Sequence, residues 1–375
     1  MAARILLEER KPVILTPSSL IANVAGKWDI PYIAEGLAAL TCTVYASDTR
    51  HFRYWDEQKN EAGYVFAESE QMSKHSMSAS QFRAHMAESV AQRAKVEGTN
   101  NGGSGGRSGI DGSGESRRYY LQTVLVDGVS VAMTDDFRRF DWEGLLATQQ
   151  RLGWGELSSN LLLVGHAGNV TPAHYDEQQN LFAQVHGAKR VVLFPPEDFG
   201  CLYPFPFHHP CDRQSQVDLY APDLEAFPRF AHAHPVEACL KPGEVLYIPQ
   251  YWFHHIENLS DDCVSLNFWF KDQAKPQKVV LPVSPSQQLA MRRNIEKLVA
   301  DKLGPRDARR VLPLLAQPPD ANTYQFTSPP FEEVRALHEE VCTLLRHVMK
   351  PEEVQPWLAE LTDRRFTFSE EAGLV

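Results

Sequence analysis

The run Asn169-Val-Thr-Pro-Ala-His-Tyr-Asp-Glu-Gln-Gln-Asn180 places a histidine and a carboxylate two positions apart, at His174 and Asp176. On a β-strand, residues i and i+2 face the same side about 7 Å apart, so the pair could grip one cation. A third ligand has to come from elsewhere. The best candidate is His254, eighty residues on, in Tyr247-Ile-Pro-Gln-Tyr-Trp-Phe-His-His-Ile-Glu-Asn258. Two imidazoles and one carboxylate on one face of a metal leave its other positions open. That arrangement suits non-haem Fe(II) oxygenases.

A lone His-x-Asp pair is weak, because solvated pairs of this kind are common. Its neighbours strengthen it. Thr171 and Pro172 lie just upstream. Lys189 lies fifteen residues beyond His174 and among the apolar strand residues Val191, Val192 and Leu193. A lysine is rarely buried unless paired. As a core residue it needs a carboxylate, and 2-oxoglutarate would supply one. The run Pro242-Gly-Glu-Val-Leu-Tyr-Ile-Pro249, followed by Trp252-Phe-His254, sets up the distal histidine from a proline-bounded strand. His255 competes for that role, but alternation lets only one of the two face a metal. Trp252, His254 and Ile256 share a face, and that face is the expected one. His208 and His209 read as a loop pair that binds nothing. His232 and His234 are given no role.

These residues need a frame. Short apolar runs punctuated by Gly and Pro, with no helical period between them, span Ser158–Val164, Asn180–Val185, Gly187–Pro196, Val236–Cys239, Glu244–Pro249 and Val264–Phe270. Many short strands of this kind predict a two-sheet jelly roll of the cupin type. Upstream, Pro12–Thr16 and Leu40–Tyr45 read as strands, and Trp28–Leu37 and Phe140–Gln150 as helices. Ser80–Val90 reads as an amphipathic helix with Ser80 as N-cap, because Phe82, Met86 and Val90 recur at helical spacing. Glu97 to Glu115 is rich in Gly and Ser, has almost nothing to bury, and reads as a flexible insertion.

After Lys271 the period becomes helical. Gln287–Leu303 carries Leu289, Ile295 and Leu298 on one side and ends at Gly304-Pro305. In Phe331–Met349, the residues Val334, Leu337, Val341, Leu344 and Val348 form a heptad-like seam. Such a seam must be covered, by the barrel or by a second copy. The expected chain is therefore mainly β with flanking helices (α+β), with a β domain over 1–283 and a helical region over 284–375.

The chain has 375 residues, 43% hydrophobic and 10% aromatic, with a formal charge of −11. It is long enough for a substantial core. The charge argues against nucleic acid or an anionic membrane as the main partner. No apolar run approaches the roughly 20 residues of a membrane span. Charges within Met1–Arg10 argue against a secretion signal. Cys42, Cys201, Cys211, Cys239, Cys263 and Cys342 are scattered, with no Cys-x-x-Cys, as free thiols in a reducing compartment would be.

Three segments carry a resemblance: Gly168–Asn180, His208-His-Pro-Cys-Asp-Arg-Gln-Ser-Gln-Val-Asp218, and Gly243–Glu257. From Pro12 to Leu315 the chain resembles the JmjC-type asparaginyl hydroxylases, the family of factor inhibiting HIF. The first and third segments mark the JmjC class, and the middle one is specific to the asparaginyl enzymes. The resemblance implies a double-stranded β-helix that binds Fe(II), with 2-oxoglutarate and O₂ as co-substrates. It implies that His174, Asp176 and His254 are the iron ligands and the catalytic centre. Lys189 would pair with the distal carboxylate of 2-oxoglutarate, and Tyr120 and Thr171 would contact the same carboxylate. Leu163, Asn180 and Asn267 would be other co-substrate neighbours. Arg213 and Gln214 would hydrogen-bond the target amide, and Tyr54, Asp56, Gln122 and Trp269 would line the peptide groove. The implied chemistry is oxidative decarboxylation of 2-oxoglutarate to succinate and CO₂, coupled to hydroxylation of an asparagine β-carbon. Implied partners are extended segments of hypoxia-inducible factor and ankyrin-repeat proteins, with a homodimer through the C-terminal helices and a cytoplasmic and nuclear location. The residues agree: a glutamine offers both a carbonyl and an NH₂ group to another primary amide.

The nearest rival is a JmjC oxygenase acting on another residue, such as a lysine demethylase or a histidyl or aspartyl hydroxylase. Arg213-Gln214 speaks against the demethylase. A non-catalytic cupin-like scaffold has no use for the intact triad with Lys189. A zinc hydrolase, which three ligands plus water also suit, would leave Lys189 and Thr171 without purpose.

Overall fold

A computed structural model describes residues 2–64, 72–100, 117–125, 129–272, 281–322 and 324–366. Its strands are β1 (Val13–Leu15), β2 (Thr41–Ser47), β3 (Ser73–Ser78), β4 (Arg118–Thr123), β5 (Leu157–Gly165), β6 (Val170–Tyr175), β7 (Gln179–His186), β8 (Lys189–Phe194), β9 (Val236–Leu240), β10 (Val245–Ile248), β11 (Phe253–Asn258) and β12 (Cys263–Phe270). Its helices are α1 (Ala2–Glu8), α2 (Ile30–Gly36), α3 (Ala79–Asn100), α4 (Val131–Arg138), α5 (Trp142–Leu152), α6 (Phe199–Leu202), α7 (Pro285–Leu303), α8 (Pro305–Val311), α9 (Phe331–Arg346) and α10 (Pro351–Thr362). The large sheet has the order β1-β10-β7-β12-β5-β4-β2-β3, and the small one β6-β11-β8-β9. Neighbouring strands pair antiparallel, for example β12 with β5 and β7 and β11 with β6 and β8. This is the expected jelly roll with flanking helices.

Alternation along each strand builds three apolar layers. On β12, Val264, Leu266, Phe268 and Phe270 face outward into a core with Trp28, Leu37, Phe82, Met86 and Phe140. Their neighbours Ser265, Asn267 and Trp269 therefore face the other sheet. Between the sheets, Leu163, Phe182, Leu246 and Ile248 from one meet Val191, Leu193 and Ile256 from the other. The outer face of the small sheet, through Tyr175, Val192, Phe194 and Phe253, joins α7 to α10 in the third core.

Several expectations are corrected. The N-cap of α3 is Ser78, not Ser80: its Oγ accepts from the Gln81 N–H at 3.2 Å, and Gln81 Oε1 accepts from the Ser78 N–H at 2.9 Å. This reciprocal pair satisfies donors that a helix start leaves free. Helix α3 runs to Asn100, so the start of the Gly/Ser-rich stretch is helical, and its residues 101–115 lie outside the described residues, as do 367–375 of the tail. The seam on α9 is covered within the chain. The buried set is Val334, Leu337, His338, Val341, Cys342 and Leu345, while Leu344 is 50% exposed. That is the 3.6-residue stripe of a helix lying on a core, whereas a supercoiled pair would need the 3.5-residue repeat. No helix among the described residues is long and apolar enough to cross a membrane.

One buried carboxylate ties the N-terminal elements to α4. Asp136 accepts from Lys27 Nζ at 2.6 Å, Tyr32 Oη at 2.6 Å and Trp28 Nε1 at 2.9 Å. Burial works against its charge, but Lys27, Tyr32 and Trp28 outweigh it and hold the carboxyl below the usual range. A depressed folded-state pKa contributes stability above the unfolded value of ~3.9, and the contribution is lost as pH falls through the folded value. Asp136→Asn should cost about 2–3 kcal/mol at neutral pH. The gap to the parent should close in acid, as urea unfolding across pH will check.

Candidate metal centre

In the pairing of β6 with β11, His174 lies opposite His254 and Thr171 opposite Ile256. Opposed residues share a face. His254 and Ile256, two apart, therefore bring His174 and Thr171 to the interior although those are three apart. The extra residue sits in a β-bulge at Pro172–Ala173, a place where a proline without an N–H is tolerated. Asp176 lies just past the end of β6. Its backbone carbonyl accepts from the Tyr251 N–H at 2.9 Å, and its Oδ2 accepts from Trp269 Nε1 at 3.0 Å. The three side chains converge: one ligand atom from each of His174, Asp176 and His254 lies within 4.8 Å of the others. The two imidazole centroids are 4.2 Å apart.

Tautomers and charge follow from the neighbours. His174 Nδ1 is 2.9 Å from the Pro172 carbonyl, and His254 Nδ1 is 3.1 Å from that of Trp252. A carbonyl can only accept, so both Nδ1 atoms carry a proton, and Nε2 is the nitrogen that each imidazole, when neutral, can offer to a metal. Burial, and then the adjacent His174, push His254 down to about 4, which keeps it neutral at physiological pH. Burial opposes the charge of Asp176, but His174, His254, Arg213 and the Trp269 N–H outweigh it and hold the carboxyl below its ordinary range. Two neutral imidazoles and one carboxylate are the donor set that Fe(II) takes in a facial triad.

Deeper in the same interior, Lys189 is fully buried. Its ammonium donates to Tyr120 Oη at 3.3 Å and lies 5.2 Å from the centre of the Phe182 ring. Among the described residues no carboxylate pairs with it. Gly165, opposite Tyr120 across β4 and β5, makes room for that ring, since a Cβ there would lie 2.9 Å from Tyr120 Cδ2. On the inner faces of β7 and β12, both amide atoms of Asn180, Oδ1 of Asn267 and Oγ of Ser265 are buried without a hydrogen-bond partner among the described residues. Leu163 and Thr171 face the same space. A buried cation, unspent amides and apolar walls fit a small dicarboxylate such as 2-oxoglutarate.

A cleft of about 400 Å³ opens at the metal centre, lined by Lys59, Asp176, Glu177, Gln178, Arg213, Trp269 and Arg293. Arg213 Nη1 stands 3.5 Å from Asp176 Oδ1. Gln214 bridges to His174 through the backbone, and its amide N–H donates to the Tyr54 carbonyl. One half of the Gln214 amide is thus committed within the chain. Tyr54 is 48% exposed. Gln122 shares the inner face of β4 with Tyr120. The Asp56 carboxylate accepts from the Gln58 N–H at 3.2 Å, where it caps a short 3₁₀ turn.

A profile of the cupin-like domain matches residues 2–276. The chain belongs to the cupin-like family. HSPB1-associated protein 1 of Rattus norvegicus is 41% identical over 113 residues, 29% of this chain and 23% of that protein. Lysine-specific demethylase 8 of Xenopus tropicalis is 40% identical over 123 residues, 31% of this chain and 27% of that protein. Lysine-specific demethylase JMJ30 of Arabidopsis thaliana is 38% identical over 124 residues, 33% and 28% of the two chains. The chain spans about a quarter of the length of the curated relatives it matches. The family is thus wider than the asparaginyl hydroxylases that the motifs resemble.

Three other histidines of this cupin-like chain serve packing or ion pairing away from the triad. His255 lies on the outer face of β11 against Tyr220, and burial pushes it down to about 3. His209 is no idle loop residue: it is buried, stacks on Phe205 and accepts from the Cys211 N–H at 2.9 Å. His234, exposed, pairs with Asp198. Sequence reasoning missed Ser265, although it alternates with Asn267 on β12. It also missed Arg293 and Asp212. Arg293 falls on the apolar side of α7, one turn after Leu289, and a charge on a buried face needs a partner.

Proposed function

We propose that this chain is a JmjC-type, Fe(II)- and 2-oxoglutarate-dependent protein hydroxylase. The observation that carries the reading is Lys189, a buried cation with no carboxylate partner among the described residues, on the inner face of the small sheet that also carries His174 and His254 of the triad. Fe(II) held by the triad would supply the oxidising chemistry, in which O₂ splits 2-oxoglutarate into succinate and CO₂ and places one oxygen atom on the target. The chain's own groups do the rest. Pro172 and Trp252 carbonyls hold the Nδ1 protons so that both Nε2 atoms face inward. Trp269 orients Asp176. Lys189 and Tyr120 receive the distal carboxylate, Asn180 and Asn267 satisfy the remaining polar atoms, and Leu163 with Phe182 keeps water out.

The favoured target is the β-carbon of asparagine in extended segments of hypoxia-inducible factor and ankyrin-repeat proteins. Its support is Arg213-Gln214 beside the triad and the resemblance of His208–Asp218. A site that hydrogen-bonds a substrate amide rejects a side chain lacking one, because its own polar groups would go unpaired. A second reading, lysine demethylation, is favoured by the names of two relatives. Mass spectrometry separates them. An asparagine-containing ankyrin peptide and a methyl-lysine peptide are each incubated with protein, Fe(II) and 2-oxoglutarate. Gain of one oxygen on asparagine is expected, whereas loss of a methyl as formaldehyde with no asparagine product would overturn the choice.

Pairing of two copies through the C-terminal helices belongs to this reading. Leu344, the exposed member of the α9 seam, is the probe. Leu344→Arg should bring the solution mass down to the single-chain 42.4 kDa without loss of folding. An unchanged, larger mass moves the interface elsewhere.

A further inference from the structure

We propose that Arg293 is a positioning residue which, through Asp212, fixes the Arg213–Gln214 turn at the metal centre, so that the helices beyond the cupin-like domain complete the peptide-binding side of the site. The functional half rests on the hydroxylase reading above; the clamp itself stands on geometry.

Arg293 and Asp212 are both about 5% exposed. Arg293 donates Nη1 to Asp212 Oδ1 at 2.6 Å and Nη2 to Oδ2 at 2.7 Å. That is the planar two-pronged match which only a guanidinium makes. Its Nε lies 2.8 Å from Glu177, the residue after Asp176. Lys59 Nζ also reaches Asp212 Oδ2, at 3.0 Å. The next residue, Arg213, adopts φ of 69°, a left-handed conformation that a non-glycine residue keeps only when its surroundings impose it.

The same loop is held further back. Glu296, one turn along α7, accepts from the Phe207 N–H at 2.7 Å and pairs with Arg365 Nη1 at 2.7 Å. Arg365 Nε donates to the Pro204 carbonyl at 2.7 Å. So the stretch from Pro204 to Gln214 is anchored by α7 and by a residue past α10. Arg293, Glu296 and Arg365 all lie outside the span 2–276 that defines the family domain. The metal ligands and the co-substrate chamber lie inside it. The metal and co-substrate belong to the domain, and the grip on the peptide is borrowed from the helices.

The experiment uses full-length Arg293→Lys, which keeps the charge and loses the fork. Tryptic cleavage of the Arg213–Gln214 bond, followed by mass spectrometry, should speed up by about tenfold. KM for the ankyrin peptide should rise about tenfold, while 2-oxoglutarate affinity, titrated with Mn(II) in place of iron, stays within about twofold. Should the variant fail to fold, Arg293→Met with Asp212→Asn leaves no buried charge unpaired and carries the same expectations. Cleavage and peptide KM both unchanged, or co-substrate affinity falling as far as peptide affinity, overturn the proposal. If the parent binds no 2-oxoglutarate, the hydroxylase reading falls, and the cleavage rate alone decides the clamp.

Discussion

Lys189→Met is expected to weaken 2-oxoglutarate binding by roughly 10²–10³-fold or more, while making the protein without co-substrate more resistant to unfolding. Removing one partner of a buried, hydrogen-bonded charge pair costs about 3–5 kcal/mol. At about 1.4 kcal/mol per decade, that is two to three decades in the dissociation constant. The stability change has the opposite sign for the same reason. The Lys189 ammonium is wholly buried, and its hydrogen-bond partner is the neutral Tyr120 hydroxyl. A cation taken out of water without a counter-charge is a cost to the fold. Methionine fills similar volume without it, and a gain of about 1–4 kcal/mol is the scale seen when buried ionic groups are replaced by apolar ones. Thermal unfolding with and without 2-oxoglutarate reads both effects. A dissociation constant changed by less than about tenfold would place the co-substrate elsewhere. A lowered melting temperature would mean that the lysine serves the fold.

His174→Ala is expected to abolish turnover and leave the fold intact. His174 is only half-buried, and among the described residues the hydrogen bond of its imidazole is to the Pro172 carbonyl two residues away. Metal affinity should drop by more than about 10²-fold, since loss of outer-shell partners alone typically costs 10–100-fold. His254→Ala makes a useful contrast. His254 is 2% exposed and packs on the His174 ring, so its loss should lower stability as well as activity. Succinate formation, Mn(II) titration and circular dichroism on the two variants separate these effects. Unchanged succinate formation by His174→Ala would refute the metal assignment.

Where a feature depended on period and residue type, the sequence alone was enough. Strands β5, β7, β8, β10 and β12 follow from short apolar runs between Gly and Pro, because a strand covered on both faces is written as a near-continuous apolar run. Trp252, His254 and Ile256 share the inner face because strand alternation allows nothing else, and His255 duly points out against Tyr220. Lys189 announced itself as a charge among strand apolars. Tertiary structure alone decided the rest. The bulge at Pro172–Ala173 brings Thr171 to the same face as His174, and no period predicts an inserted residue. Asp212, Arg293, Glu296 and Arg365 meet only when distant segments fold together, since a buried charge states its need for a partner but not the partner's identity. The α9 seam looked equally ready for a second chain or for its own core. That choice rests on which apolar surface lies nearest after the barrel has formed, and here α7, α8 and α10 supply it.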